Sequence, residues 1–293
     1  METIALIGFG EAASAFVGGW AERPASLRAF DIKTLNSTTA PAKRADYVAA
    51  GVAGADSAAE AVDGAAAILS LVTADQAFAA AEGAARSIAP GGLFIDMNSV
   101  APDTKRAAAR AIETAGARYL DVAVMAPVDP ARAAVPLLVS GPHAEEGARA
   151  LRAIGFIKVR VVGDEVGRAS SIKMIRSVIV KGIEALTAEC ALAADKAGVL
   201  ADVLASLDAS SAPATWAERA DYNLDRMMVH GLRRAAEMEE VVKTLDALGT
   251  GSTISRGTVE RQRAIGGLGY GRPPAGLEAK LTALAGANKV EAA

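Results

Sequence analysis

The segment Thr3-Ile4-Ala5-Leu6-Ile7-Gly8-Phe9-Gly10-Glu11-Ala12-Ala13 sets the architecture of this 293-residue chain. Its first five residues carry no charge and read as a buried strand. The helical pattern from Glu11 to Glu22 follows at once. Between the two lies G-x-G-x-x-A. Gly8 permits a tight turn, and Gly10 lets the backbone come close to a pyrophosphate. Ala13 is small enough for the helix to pack closely on the strand. The helix start offers unpaired N–H groups and the positive end of its dipole to phosphates. Asp31 closes the next strand, Ser26–Asp31, where a carboxylate hydrogen-bonds a ribose 2′-hydroxyl and repels a 2′-phosphate. The arrangement implies a bound dinucleotide, NAD by preference, with NADP left possible by Lys33. Gly8, Phe9, Gly10, Glu11, Ala12 and Asp31 are the candidate cofactor residues.

The same alternation continues along the first half. Ala66–Val72, Leu93–Met97, Arg118–Val124, Pro136–Ser140 and Lys158–Val162 read as strands, with a brief one near Val52. Helical patterns lie between them over Ala42–Ala50, Ser57–Val62, Asp75–Ile88 and Pro102–Ala115. This order predicts a mainly parallel sheet with helices on both faces, a Rossmann-type doubly wound α/β domain. Ligands of such sheets bind outside the C-terminal ends of the strands, which adds Val72 and Thr73 to the cofactor set. After Gly163 no strand is expected. Glu165 to Ala197 contains no proline and reads as one helix of about 45 Å. Further helices separated by Gly or Pro breaks follow it. The expected division is a dinucleotide-binding domain over 1–163 and an all-α domain for substrate and dimerisation over 164–293.

Composition narrows the chemistry. One cysteine excludes a disulfide framework and a cysteine-based metal cage, so no metal is expected. Two histidines, His143 and His230, are a poor supply for imidazole catalysis, so proton transfer falls to another side chain. The net charge of −3 comes without a basic stripe, which argues against nucleic acid and against a polybasic membrane anchor. No uncharged apolar run is long enough to span a membrane. The opening Met1-Glu2-Thr3 lacks the basic start of a signal peptide. A cytoplasmic protein acting on a small molecule is expected.

A second constellation lies on the long helix. Lys173, Arg176, Ser177 and Val180 share one face by their spacing. Ile172, Ile175, Ile179 and Ile183 form an apolar stripe on an adjacent face, expected to be buried. By itself this pattern also suits two cations lying along a solvated edge. At this point the chain resembles the β-hydroxyacid dehydrogenases, the group that contains 3-hydroxyisobutyrate and 6-phosphogluconate dehydrogenases. Asp96-Met97-Asn98-Ser99-Val100-Ala101-Pro102 matches that family's Asp-x-Ser/Asn-Thr/Ser segment before a proline. Gly167 and Lys173 match its glycine-led helix with a catalytic lysine, and Ser177 stands where Asn is usual. The resemblance covers residues 1 to about 197, beyond which it is to a divergent branch with an atypical helical C-terminal domain.

The resemblance implies a homodimeric NAD(P)-dependent oxidoreductase with Lys173 as general acid/base. It places Asn98, Ser99, Val124, Met125, Arg176 and Ser177 around the substrate, with Asn98 also near the cofactor. A lysine serves as base where burial and neighbouring positive charge lower its pKa.

Three departures bear on the substrate. The family's Asp-Ala-Pro-Val-Ser-Gly-Gly loop reads Asp121-Val122-Ala123-Val124-Met125-Ala126-Pro127 here. Met125 removes a hydroxyl and Pro127 an N–H donor, which weakens an anion cradle. Val180 stands where decarboxylation by the 6-phosphogluconate route would need an acid. A later Lys-Asp pair is missing, and Arg233, Arg234 and His230 offer either a carboxylate site or a solvated face. The expectation is a β-hydroxy acid or related alcohol with a bulky, weakly polar side. Two other readings stay open. An imine reductase-like enzyme on the same fold has the retained Lys173 against it, and a nicotinamide-nucleotide sensor without turnover would not need Lys173.

Overall fold

The computed structural model describes residues 3–20, 26–210 and 215–290. Its first half runs β1 (Thr3–Ile7), α1 (Glu11–Gly19), β2 (Ser26–Phe30), α2 (Ala40–Ala50), β3 (Ala53–Gly54), α3 (Ala58–Val62), β4 (Ala65–Ser70) and α4 (Ala77–Ala85). Then come β5 (Leu93–Asp96), α5 (Pro102–Thr114), β6 (Arg118–Val124), β7 (Leu137–Ser140), α6 (Ala144–Ile154) and β8 (Val159–Gly163). The rest is helical: α7 (Arg168–Lys196), α8 (Leu200–Ser210), α9 (Trp216–Leu248), α10 (Thr253–Gly266) and α11 (Leu277–Val290). The Rossmann-type reading of the first half and the helical reading of the second both hold. The helix expected to reach Glu22 ends at Gly19, and Ala21 and Glu22 lie outside the described residues.

Eight strands form one sheet in the order β3-β2-β1-β4-β5-β6-β7-β8. All pairs are parallel except β6 with β7. Both faces are covered over the central strands, so successive residues of those strands enter different cores. Ile4 and Leu6 pack with Phe16, Leu69, Ile95, Val122 and Leu151 on one face. Ala5 and Ile7 pack with Ile68, Phe94, Ala108, Ile112 and Tyr119 on the other. The strand order reverses between β1 and β4, and a crevice forms at such a switch point.

The chain divides into two compact units, Met1–Val178 and Ile179–Ala293. The first unit thus runs past the expected boundary at Gly163 and takes in the start of α7, whose first turn is hydrogen-bonded to Asp121 of β6 and Ser140 of β7.

In the second unit α10 and α11 pack on α9. Where α9 meets α10, a Cβ on Gly231 would stand 2.4 Å from the Gln262 carbonyl oxygen, and one on Gly266 2.4 Å from the Leu232 nitrogen. Only glycines allow backbones to cross that closely. Lys280 of α11 is nearly sealed from solvent and pairs with Asp221 and Asp225 of α9.

The stripe on α7 corrects an expectation. Ile175 is 71% exposed, and Ile172, Ile179 and Ile183 are also exposed, so the described residues do not bury this stripe. Helical periodicity identified the stripe but not what covers it. Among the described residues no helix is long and apolar enough to cross a membrane.

Candidate functional site

The glycine turn lies at the switch point. Gly8 has φ +86°, and a Cβ there would stand 2.5 Å from the Leu71 carbonyl oxygen at the end of β4. Gly10 has open space where a Cβ would point. It is also the N-cap of α1 and supplies no side chain, so the first amides of that helix have no side-chain cap. A cleft of about 330 Å³ opens here, lined by Gly8, Gly10, Asp31, Lys33, Val72 and Thr73 among others. Open space at Gly10, uncapped amides and an acid at the rim fit a dinucleotide.

The loop itself is gripped from both sides. Asp31 accepts the Phe9 N–H at 2.8 Å and the Lys33 N–H at 2.9 Å. Lys43, buried on α2, donates to the Phe9 carbonyl at 2.7 Å and pairs with Asp46. The Phe9 ring packs edge-on to Tyr47 in the core, so only its backbone belongs to the loop surface. Burial, with the Asp31 charge nearby, pushes the Tyr47 phenol up to about 12. Glu11 is exposed at the helix start and Ala12 is half-buried.

Asn98 works through its amide. Its Oδ1 accepts the Val72 N–H at 2.7 Å, and its Nδ2 donates to Ser70 Oγ at 2.9 Å. It therefore fixes the end of β4 where that strand lines the cleft. Ser99 beside it is exposed.

The start of α7 carries the other candidate residues. Asp121 of β6 accepts the N–H of Gly167 at 3.0 Å and of Ser170 at 3.2 Å, and also the Ser170 hydroxyl. Ser140 Oγ of β7 accepts the Ala169 N–H. These bonds cap a helix start that would otherwise leave orphan donors. Lys173 lies one turn further on and is half-buried, Arg176 is exposed, and the Ser177 hydroxyl donates back to the Lys173 carbonyl. Val124 is buried in the sheet core, whereas Met125 is half-buried against Ala123, Leu138 and Ala169. Met125 and Ile172 line a common hollow at the end of β6. Arg233, Arg234 and His230 lie on α9 in the second unit.

Sequence reading missed Lys43 and Lys105. Both are lysines with almost no exposure, on helices whose other polar residues face solvent. A signal existed in the acceptors rather than in the lysines. The apolar runs of β4, β5, β6 and β7 each contain a polar residue at the same level, namely Ser70, Asp96, Asp121 and Ser140.

Residues 3–163 match the family model described as the NAD binding domain of 6-phosphogluconate dehydrogenase, more than half of the chain. The chain belongs to the β-hydroxyacid dehydrogenase family. The cleft at the glycine turn lies within the residues that match this NAD-binding domain. Residues 194–265 match a domain of unknown function (DUF1932).

A 3-hydroxyisobutyrate dehydrogenase of Pseudomonas aeruginosa is 27% identical over 231 residues, covering 74% of this chain and 72% of its own. The chain spans 57% of the length of an uncharacterized 28.5 kDa protein of Methanothermus fervidus, at 26% identity over 152 residues, 52% of this chain. Among solved structures, a conserved hypothetical protein from Sinorhizobium meliloti 1021 is 38% identical, with 97% of this chain and 96% of that one covered and a TM-score of 0.61. An imine reductase of Streptomyces aurantiacus has a TM-score of 0.72 over 97% of this chain and 99% of its own, at 19% identity, a likeness of fold alone.

Proposed function

We propose that this β-hydroxyacid dehydrogenase family member is an NAD(P)-dependent dehydrogenase. It interconverts a β-hydroxy acid, or a related alcohol with a bulky, weakly polar side, and its oxo form. The observation that carries the reading is the anchoring of α7. The helix that bears Lys173 begins on Asp121, at the same C-terminal edge of the sheet where β1 and β4 form the cofactor cleft.

The nicotinamide, when bound, exchanges hydride with the substrate carbon. The protein's own residues do the rest. The backbone around Gly8, Gly10 and Glu11 holds the pyrophosphate, and Asp31 holds the ribose hydroxyls and favours NAD. Lys173 Nζ takes the hydroxyl proton in oxidation and returns it in reduction. Arg176 pairs with the substrate carboxylate. Met125, with Ala126 and Pro127, presents an apolar wall poor in donors, which disfavours a sugar phosphate. Val180 supplies no acid for a decarboxylation step. The enzyme works as a cytoplasmic homodimer in which a second copy covers the exposed stripe of α7.

A panel of aryl and alkyl β-hydroxy acids, assayed with both cofactors by nicotinamide absorbance, tests the reading. Turnover of a hydroxy acid is expected. Comparable turnover of 6-phosphogluconate would remove the substrate class. Reduction of cyclic imines without alcohol turnover would favour the imine reductase reading, and cofactor binding without any turnover the sensor.

A further inference from the structure

We propose that Lys105, Asp96 and Asp121 form a dry strut that positions Lys173 relative to the cofactor cleft. The proposal rests on the reading of Lys173 as the acid/base.

The strut begins in the sheet register. Ser70 of β4 stands beside Asp96 of β5, Asp96 beside Asp121 of β6, and Asp121 beside Ser140 of β7. Four polar side chains thus form one row across the C-terminal edge, on the face covered by α5. All four are buried to 1% exposure or less. Lys105 reaches into the row from α5, and it too is fully buried. Its Nζ lies 2.9 Å from Asp96 Oδ1 and 3.5 Å from Asp121 Oδ1, and it donates to the Asp96 carbonyl at 2.7 Å.

The hydrogen bonds continue from both ends of this pair. On one side Asp96 Oδ1 accepts the Asn98 N–H, and Asn98 holds the Val72 N–H in the cofactor cleft. The Tyr119 hydroxyl donates to Asp96 Oδ2 at 2.6 Å. Burial and the Asp96 charge push that phenol far above its ordinary range, so it stays a donor. On the other side Asp121 Oδ2 takes the N–H groups of Gly167 and Ser170, the first turn of the helix that bears Lys173. One series of contacts therefore runs from the cofactor edge to the lysine helix, made of hydrogen bonds except at the 3.5 Å ion pair of Lys105 with Asp121 Oδ1, an oxygen that accepts no hydrogen bond among the described residues.

Its composition argues for geometry over stability. Burying an ion pair costs about as much desolvation as its attraction returns, and apolar residues of equal volume pack as well or better. What ionic and hydrogen bonds add is a fixed direction and distance. Transfer of a proton by Lys173 and of hydride at the nicotinamide needs both partners placed together, and a displacement near 1 Å costs about a hundredfold in rate. Lys105, Asp96 and Asp121 touch neither substrate nor cofactor, so they are positioning residues.

Asp121→Asn and Ser170→Ala in the full chain test this, the second as the milder change that keeps the fold. The readouts are kcat, KM, dinucleotide affinity and amide exchange across residues 165–173. Asp121→Asn is expected to lower kcat by about tenfold to a hundredfold, with dinucleotide affinity held within about twofold, and Ser170→Ala to lower kcat a few-fold. Both are expected to speed exchange at the start of α7. Folded variants with kcat within about twofold of the parent, or with unchanged exchange, would overturn the strut. Lys173→Ala is measured alongside. Retained turnover there refutes the lysine as acid/base, and the exchange result then decides the strut by itself.

Discussion

Two lysine–aspartate clamps hold the glycine loop and the start of α7, and they differ in how dry they are. At the glycine loop, Asp31 takes the N–H of Phe9 while Lys43 donates to its carbonyl. At α7, Asp121 takes the N–H groups of Gly167 and Ser170 while Lys105 stands behind it. The first clamp sits at a rim. Asp31 lines the cleft, and the other partner of Lys43, Asp46, is 53% exposed. The second is sealed, with no exposure at Lys105 or Asp121. A loop that receives a ligand must keep one side open to water. A helix start that only fixes a side chain can be closed off, and its bonds then gain from the low local dielectric.

The largest expected difference between the clamps is in stability. Lys105→Met leaves two buried carboxylates without their cation and is expected to cost about 3–5 kcal/mol. Lys43→Met removes one charged hydrogen bond and a half-exposed pair, so about 1.5–3 kcal/mol is expected. Denaturant titration of both variants checks this, and equal losses would break the contrast. Gly8→Ala comes next. The new Cβ meets the Leu71 backbone at a φ of +86°, so about 1–3 kcal/mol of strain is expected, together with weaker dinucleotide binding by calorimetry.

Asp31→Asn keeps an acceptor for Phe9 but loses the charge. It is expected to raise affinity for NADP relative to NAD by about tenfold, roughly 1.4 kcal/mol. The same substitution logic at Asp121 leaves cofactor choice unchanged, which sharpens the assignment of separate tasks.

The smallest effect is in alkaline pH. The Tyr119 phenol binds its proton more tightly in the folded protein than in the unfolded chain. Its contribution is therefore complete below about pH 10, the unfolded value, and is lost as pH rises above it. Tyr119→Phe is expected to flatten the alkaline decline in melting temperature.

The first half of the fold was legible because local signals agree there. Strand, glycines, helix and Asp31 occur in order, and a parallel sheet needs apolar runs that composition makes plain. The strut was not legible. Lys105 looks like any polar residue on an amphipathic helix, and it is buried only because β5 and β6 bring Asp96 and Asp121 together from distant parts of the sequence. The stripe on α7 shows the opposite limit. Its period was correct, yet Ile175 is exposed, since a period fixes which residues share a face and leaves open what lies against it. The crossing at Gly231 and Gly266 depends on two glycines 35 residues apart in sequence, and neither carries a signal of its own.

Lys173→Ala, with kcat and dinucleotide affinity measured on the same preparation, bears most directly on the central claim. Loss of about 10²–10⁴ in kcat with dinucleotide affinity unchanged is the expected result. Turnover close to that of the parent enzyme would contradict it.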